Sequence, residues 1–176
     1  MTGNVSHQAS YAIRDVRRED IAALASWIPQ DDEPFRHQWL ISQQTAGNLD
    51  CIAAWIKGLP VGQGIILWGG YVIPELAAEF PCTPVIRSVK VIERYRGRGI
   101  GNAIVAELEA RARMRGFAYA SLGVMPGNTH AESLWRHLGY TDWGKGLFNT
   151  TSIYESANGK ELIRAECFLP MRKRLV

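Results

Sequence analysis

Apolar and polar positions alternate along this chain with two periods, and the switches between those periods mark its elements. YAIRDV from Tyr11 predicts a first strand. After Glu19 and Asp20, the residues Ile21, Leu24, Ala25 and Ile28 recur at i, i+3, i+4 and i+7, which is one face of a helix. DDEPFRHQW from Asp31 predicts a second helix, with acids at its positive end and Pro34 in its first turn. CIAAWI, the turn KGLP and VGQGIILW predict a hairpin from Cys51 to Trp68, followed by a short helical piece, PELAAEF, from Pro74.

The second half repeats the alternation. VIRSVKV from Val85 is β-branched and predicts a central strand. A helix is expected from about Gly101 to Arg115, burying Ile104, Val105, Leu108 and Ala112 and stopped by Gly116. YASLGV from Tyr119 predicts another strand. Thr129 and Glu132 have capping-box spacing ahead of a helix that carries Ala131, Leu134, Trp135 and Leu138 on one face. Weaker strands are expected near Trp143–Phe148 and Leu162–Leu169. The order is that of a mixed α/β architecture with helices packed on a sheet. Residues 1–10 are polar and read as a loose tail, and residues 11–176 as a single domain.

Composition narrows the class. With 47% apolar and 21% charged residues in 176, the chain resembles an ordinary globular domain and neither a disordered nor a fibrous one. No apolar run approaches the roughly 20 residues of a membrane-spanning helix, and no signal peptide is visible, so a cytoplasmic protein is expected. Three cysteines without short spacing, and four histidines without HxH or HExxH, argue against a disulfide framework and against a metal site. The net charge of +3 is mild, yet arginines cluster in RYRGR from Arg94, RARMR from Arg111 and RKR from Arg172. Nucleic-acid binders show a broader basic stripe, so one anionic small molecule is the better partner for such clusters.

The segment VKVIERYRGRGIGNAIV, Val89 to Val105, carries the chemistry. A strand enters a turn containing Gly97, Gly99 and Gly101, and a helix starts at once. Glycines let main-chain N–H groups approach a ligand, the helix start adds oriented donors, and Arg94, Arg96 and Arg98 add full charges. Together they would cradle a pyrophosphate. A P-loop would need GxxxxGK[ST], and a dinucleotide fingerprint would need GxGxxG with an acid further on; neither is present. A basic strand-to-helix turn with no ligand is the simpler alternative.

These residues resemble the GNAT acetyltransferase superfamily. RGRGIG, Arg96 to Gly101, fits its (Gln/Arg)-x-x-Gly-x-(Gly/Ala) signature. NTHAESLWRHLGY, Asn128 to Tyr140, fits its Asn-x-x-Ala-x-x-Leu-Tyr-x-x-x-Gly-Phe/Tyr pattern at all positions but one. MRKRL from Met171 is similar to the family's last strand. The resemblance implies an α/β GNAT fold: a mixed, mostly antiparallel sheet whose fourth and fifth strands splay apart, with helices on both faces. It also implies acetyl-coenzyme A as co-substrate, with its pantetheine arm in the splay, and no metal.

Carried over residue by residue, the resemblance gives main-chain contacts to pantetheine around Val89 and Val91. It gives pyrophosphate contacts to Arg96, Gly97, Arg98, Gly99, Ile100, Gly101 and Asn102, and an arm contact to Asn128. Asn128 is otherwise a helix-capping residue, but Thr129 can serve as cap and leave it available. Trp135 stands where the family usually has a tyrosine that protonates the departing thiolate. Indole has an N–H donor and no proton to lose near neutral pH, so Trp135 can wall the thioester pocket but cannot be a general acid. The amine must lose a proton, and the glutamate that many relatives carry on the fourth strand is replaced here by Arg87-Ser88. Glu79 and Glu75 are the candidate bases.

Acceptor sites in the family are usually built from the first two helices and the last hairpin. Trp27, Asp31, Asp32 and Phe35 would then face the substrate, acids beside aromatics suiting a cationic amine; the same residues also read as helix-end acids and core aromatics. The expected function is direct transfer of acetyl to a primary amine, of a small molecule first. A protein or peptide N-acetyltransferase and a non-catalytic acyl-coenzyme A sensor stay open, as does a homodimer. No nucleic-acid or membrane partner is expected.

Overall fold

Strand and helix order follow the periodicity closely. The structure, a computed structural model, describes residues 10–28, 36–155 and 161–176. β1 (Ala12–Asp15) leads through a 3-10 turn into α1 (Ile21–Trp27), and α2 (Arg36–Thr45) precedes the hairpin of β2 (Leu49–Ile56) and β3 (Leu59–Leu67). Then come α3 (Pro74–Glu79), β4 (Val85–Val91), a second 3-10 turn (Glu93–Tyr95), α4 (Ile100–Met114) and β5 (Tyr119–Val124). The chain closes with α5 (Thr129–His137), β6 (Thr141–Asp142), β7 (Phe148–Glu155) and β8 (Glu161–Arg174).

Two expectations are corrected. The cap of α5 is Asn128, whose side-chain oxygen accepts from the Ala131 N–H at 3.1 Å, while Thr129 is already the first helical residue. The last strands are displaced from their expected bounds: Trp143 precedes β7, and β8 runs on to Arg174 because its end pairs with both β5 and β6. The expected start of the second helix at Asp31 lies outside the described residues; its described part begins at Arg36.

The strands lie in the order β1-β2-β3-β4-β5-β8-β6, with β7 paired to β8. All neighbours are antiparallel except β4 and β5, which run parallel and share one residue pair, Val85 opposite Ser121. Helices cover both faces. On one, Ile104, Leu108 and Ala112 of α4 pack onto Ile52, Ile66 and Leu122. On the other, Leu24 of α1 and Leu40 and Ile41 of α2 cover Cys51, Ala53 and Ile65. Each fully buried aliphatic side chain contributes about 1.5–3 kcal/mol. Gly64 lets α4 sit tight against β3, since a Cβ there would lie 2.5 Å from Ile104 Cγ2.

Candidate active site

The splay between β4 and β5 begins immediately beyond Val85 and Ser121, so the rest of β4 turns a main-chain edge with no strand partner toward a gap. A bulge decides what that edge carries. Between the pairs Gln63–Lys90 and Ile65–Arg87, two steps along β3 answer three along β4, and Ser88 takes the extra place at φ +53°. The bulge reverses side-chain parity. Ile86 packs under α4 before it, and Val89 and Val91 do so after it. Since Ile92 donates its N–H to Val61 on β3 at 2.9 Å, strand alternation turns the N–H and C=O groups of Val89 and Val91 toward the gap.

At the end of β4 the chain enters the glycine turn. Gly97 and Gly99 have φ +71° and +77°, and a Cβ at either would meet nothing within 4 Å. Gly99 caps α4, and the first regular helical bond runs from Ala103 N–H to Gly99 O at 3.0 Å. The N–H groups of Ile100, Gly101 and Asn102 therefore have no intrahelical acceptor. The flanking arginines are braced: Arg96 Nε donates to Val91 O at 3.0 Å and Arg98 Nη2 to Arg94 O at 3.2 Å. The Arg94 guanidinium lies 4.8 Å from the Trp27 ring centroid and 5.0 Å from that of Tyr95. Oriented donors, a helix start and exposed guanidinium groups lie together at the end of β4, an arrangement that can take an anion.

The other basic clusters serve the fold. Arg111 bonds Asp15, Asp50 and Glu107, and Arg115 lies 3.9 Å from the Trp68 ring centroid. Lys173 and Arg113 both pair with buried Glu109, which also accepts from Tyr140 Oη at 3.0 Å.

Asn128 stands at the head of α5, past the end of β5. Its oxygen is committed to the cap, which leaves its amide nitrogen as the group that can reach a ligand. Trp135 is half-buried against the α4 core, edge-on to Tyr140 at 5.3 Å. Trp27 is 37% exposed and stacked on Arg94, so it stands beside the glycine turn. Asp31, Asp32 and Phe35 lie outside the described residues. Glu75 is exposed on α3. Glu79 pairs with Lys145 at 2.5 Å, and that hydrogen-bonded ammonium holds its carboxyl below the usual range, which makes it a poorer base.

Sequence reasoning missed the vertex of the splay. Tyr71, Phe80, Trp143, Phe148 and Phe168 form a connected aromatic cluster there: Tyr71 stacks on Phe168 at 6.3 Å and Phe80 on Trp143 at 6.4 Å. Phe168 lies so close over Gly123 that a Cβ on the glycine would be 2.7 Å from its ring. A lone glycine inside a strand is the one available signal of such an approach. Two polar groups on this side of the sheet are buried without a hydrogen-bond partner, the Gln63 amide and the Tyr71 hydroxyl. Among the described residues no group of three or more His, Cys, Asp or Glu side chains could hold a metal ion, and no helix is long and apolar enough to cross a membrane.

The comparisons with known proteins meet this geometry. Residues 13–140 match the Acetyltransferase (GNAT) family, and the chain belongs to that family. It resembles the ribosomal-protein-alanine N-acetyltransferase of Brucella melitensis, at 24% identity over 93% of this chain and 99% of that one, with a TM-score of 0.65. A putative acetyltransferase, YncA, of Salmonella typhimurium, solved with its cofactor acetyl-CoA, is 17% identical over 95% of both chains, with a TM-score of 0.66. The PaiA N-acetyltransferase of Thermoplasma acidophilum, in complex with coenzyme A, is 14% identical over 94% and 99%, with a TM-score of 0.63. No curated protein sequence matches. The protein is thus a GNAT-type N-acyltransferase that uses acetyl-coenzyme A and acts on an amine. The edge of β4 with no strand partner, the open glycine turn and the uncapped donors of α4 fit that co-substrate.

Proposed function

We propose that the chain, as one domain over residues 11–176, moves acetyl from acetyl-coenzyme A to the primary amine of a small molecule by direct attack. The observation that carries this is the single residue pair between β4 and β5, which leaves a strand-shaped opening leading to the glycine turn. In this reading Val89 and Val91 hold the pantetheine through their main chain. The amides from Arg96 through Asn102, with Gly97, Arg98, Gly99, Ile100 and Gly101 between, hold the pyrophosphate, and the Asn128 amide nitrogen steadies the arm. Trp135 walls the pocket and transfers no proton.

Holding the amine against the thioester in reacting geometry avoids the entropic cost of encounter. The amine's proton leaves through water. Glu75, exposed on α3, is the candidate base for that proton, and Glu79 joins it only when Lys145 lets go. A compact acceptor is favoured by the way α3 is tied across to the segment after β6, through the Glu79–Lys145 pair and the Phe80–Trp143 stack. The aromatic cluster suits a cationic amine, whereas Trp27 is taken up by Arg94 beside the glycine turn. Three free thiols, Cys51, Cys82 and Cys167, suit a reducing cytoplasm.

The test is isothermal titration with acetyl-coenzyme A, wild type against Gly101→Glu, followed by thiol release with small amines and with peptides. A Cβ at Gly101 meets only Val91 Cγ2, at 3.6 Å, so the variant folds and loses at least about 100-fold in affinity by placing a carboxylate at an anion seat. Turnover with peptides alone would replace the small-molecule reading. Failure of folded wild type to bind would remove the co-substrate reading.

A further inference from the structure

We propose that Tyr71 is the side-chain hydrogen-bond donor to the thioester carbonyl, a role no residue of the two family motifs supplies here. The inference rests on the acetyl-transfer reading above and adds to it a named group at the reacting atoms.

Four observations place Tyr71 at the vertex of the splay. β4 and β5 touch only at Val85 and Ser121, and Ser121 is the β5 residue whose hydroxyl neighbours Tyr71. Ser121 and Arg87 lie on the sheet face away from α4, since Ala120, Leu122 and Ile86 take the α4 side. Tyr71 is near enough to Arg87 to feel its charge. Its ring stacks at 8° on Phe168, which in turn covers Gly123, the next β5 residue on that face. An acyl group carried to the closed end of the gap therefore arrives beside this ring.

The hydroxyl is buried and, among the described residues, has no partner in hydrogen-bond geometry; its neighbour Ser121 donates its own proton to Pro84 O at 3.1 Å. An orphaned buried hydroxyl costs about 1–3 kcal/mol, so such groups persist where a ligand or water completes them. Burial pushes its ionisation well above the ordinary phenol range, against smaller lowering effects of Ser121 and Arg87. Tyr71 therefore keeps its proton and acts by donating a hydrogen bond, with no proton transfer.

The balance is simple. The amine nitrogen forms the C–N bond, and the carbonyl electron pair shifts to oxygen, where the Tyr71 O–H meets it. The C–S bond then breaks with its pair on sulfur, and the amine's proton passes to water. This leaves Trp135 its place as a wall and requires no acid from α5.

The experiment compares wild type with Tyr71→Phe, which keeps the ring and its stack on Phe168. Acetyl-coenzyme A labelled with ¹³C at the carbonyl is titrated calorimetrically and followed by difference infrared spectroscopy. We expect affinities within about threefold of each other and a carbonyl stretch at lower frequency in wild type than in the variant. We also expect kcat with any accepted amine to fall about 100-fold with KM nearly unchanged, the scale of a lost oxyanion donor. Removing an unpartnered hydroxyl leaves the melting temperature unchanged or higher, whereas a structural hydroxyl would lower it. An identical carbonyl frequency in two bound forms overturns the role of Tyr71 and leaves the acetyltransferase reading standing. No binding by folded wild type overturns both.

Discussion

The two faces of the central sheet are finished differently. Under α4 the packing leaves no slack: Gly62 and Gly64 admit Ile104 where any Cβ would collide, and Ile104, Leu108 and Ala112 have no solvent exposure. The face under α1 and α2 keeps buried polar atoms without partners, the Gln63 amide and Trp55 Nε1, and the Tyr71 hydroxyl lies on the same side. Natural interiors rarely tolerate such orphans. One face is therefore spent on stability, and the other holds unsatisfied capacity that a bound molecule can use.

Substitutions can break that comparison. The largest effect is expected at Ile104→Ala, which opens a cavity in the tight face and should cost about 3–4 kcal/mol by urea denaturation. A loss under 1 kcal/mol would show that face to be as loose as the other.

Asp20→Asn comes next. Asp20 is buried and accepts from both Arg14 guanidinium nitrogens, at 2.6 and 2.9 Å, and from the Arg17 N–H. The Arg14 hydrogen bond is the main cause of its lowered pKa. A carboxyl whose folded pKa is depressed stabilises above its unfolded pKa, and that contribution fades as pH falls through the folded value. The variant should lose about 1–2 kcal/mol at pH 7, Arg14 being partly solvated, and should converge with wild type in strong acid.

The smallest effect has the opposite sign. Gln63→Met removes an unpartnered buried amide and should raise stability by about 1 kcal/mol. A destabilised Gln63→Met would mean the open face is satisfied from within.

Legibility in the sequence followed locality. The glycine turn, the strand before it and α4 after it are contiguous, so the candidate anion seat at Gly97, Gly99 and Gly101 is legible in the sequence alone. The α5 motif was legible too, except that Asn128 and Thr129 compete for one cap, and only geometry shows which oxygen meets the Ala131 N–H. The splay vertex was invisible. It joins Tyr71, Arg87, Ser121 and Phe168 from four separate segments, and Ser88 gives no sign of its positive φ. Tyr71 sits in GGYVIP, where no period is running. The partner of Glu79 was hidden for the same reason, since Lys145 is 66 residues away.

The bond from Arg96 Nε to the Val91 carbonyl has a mechanical meaning. A guanidinium is flat and stiff, and this one has its inner nitrogen fastened to the strand while its side chain is exposed on the glycine turn. On the reading proposed above, this bond ties the turn that would hold the phosphates to the strand edge that would receive the arm. Such a tie would act as a gauge block, fixing how far down the gap an arm of constant length brings the thioester. The arm is the same in every coenzyme A thioester, so such a gauge would set where the carbonyl stops and leave any choice among acyl groups to the closed end of the gap.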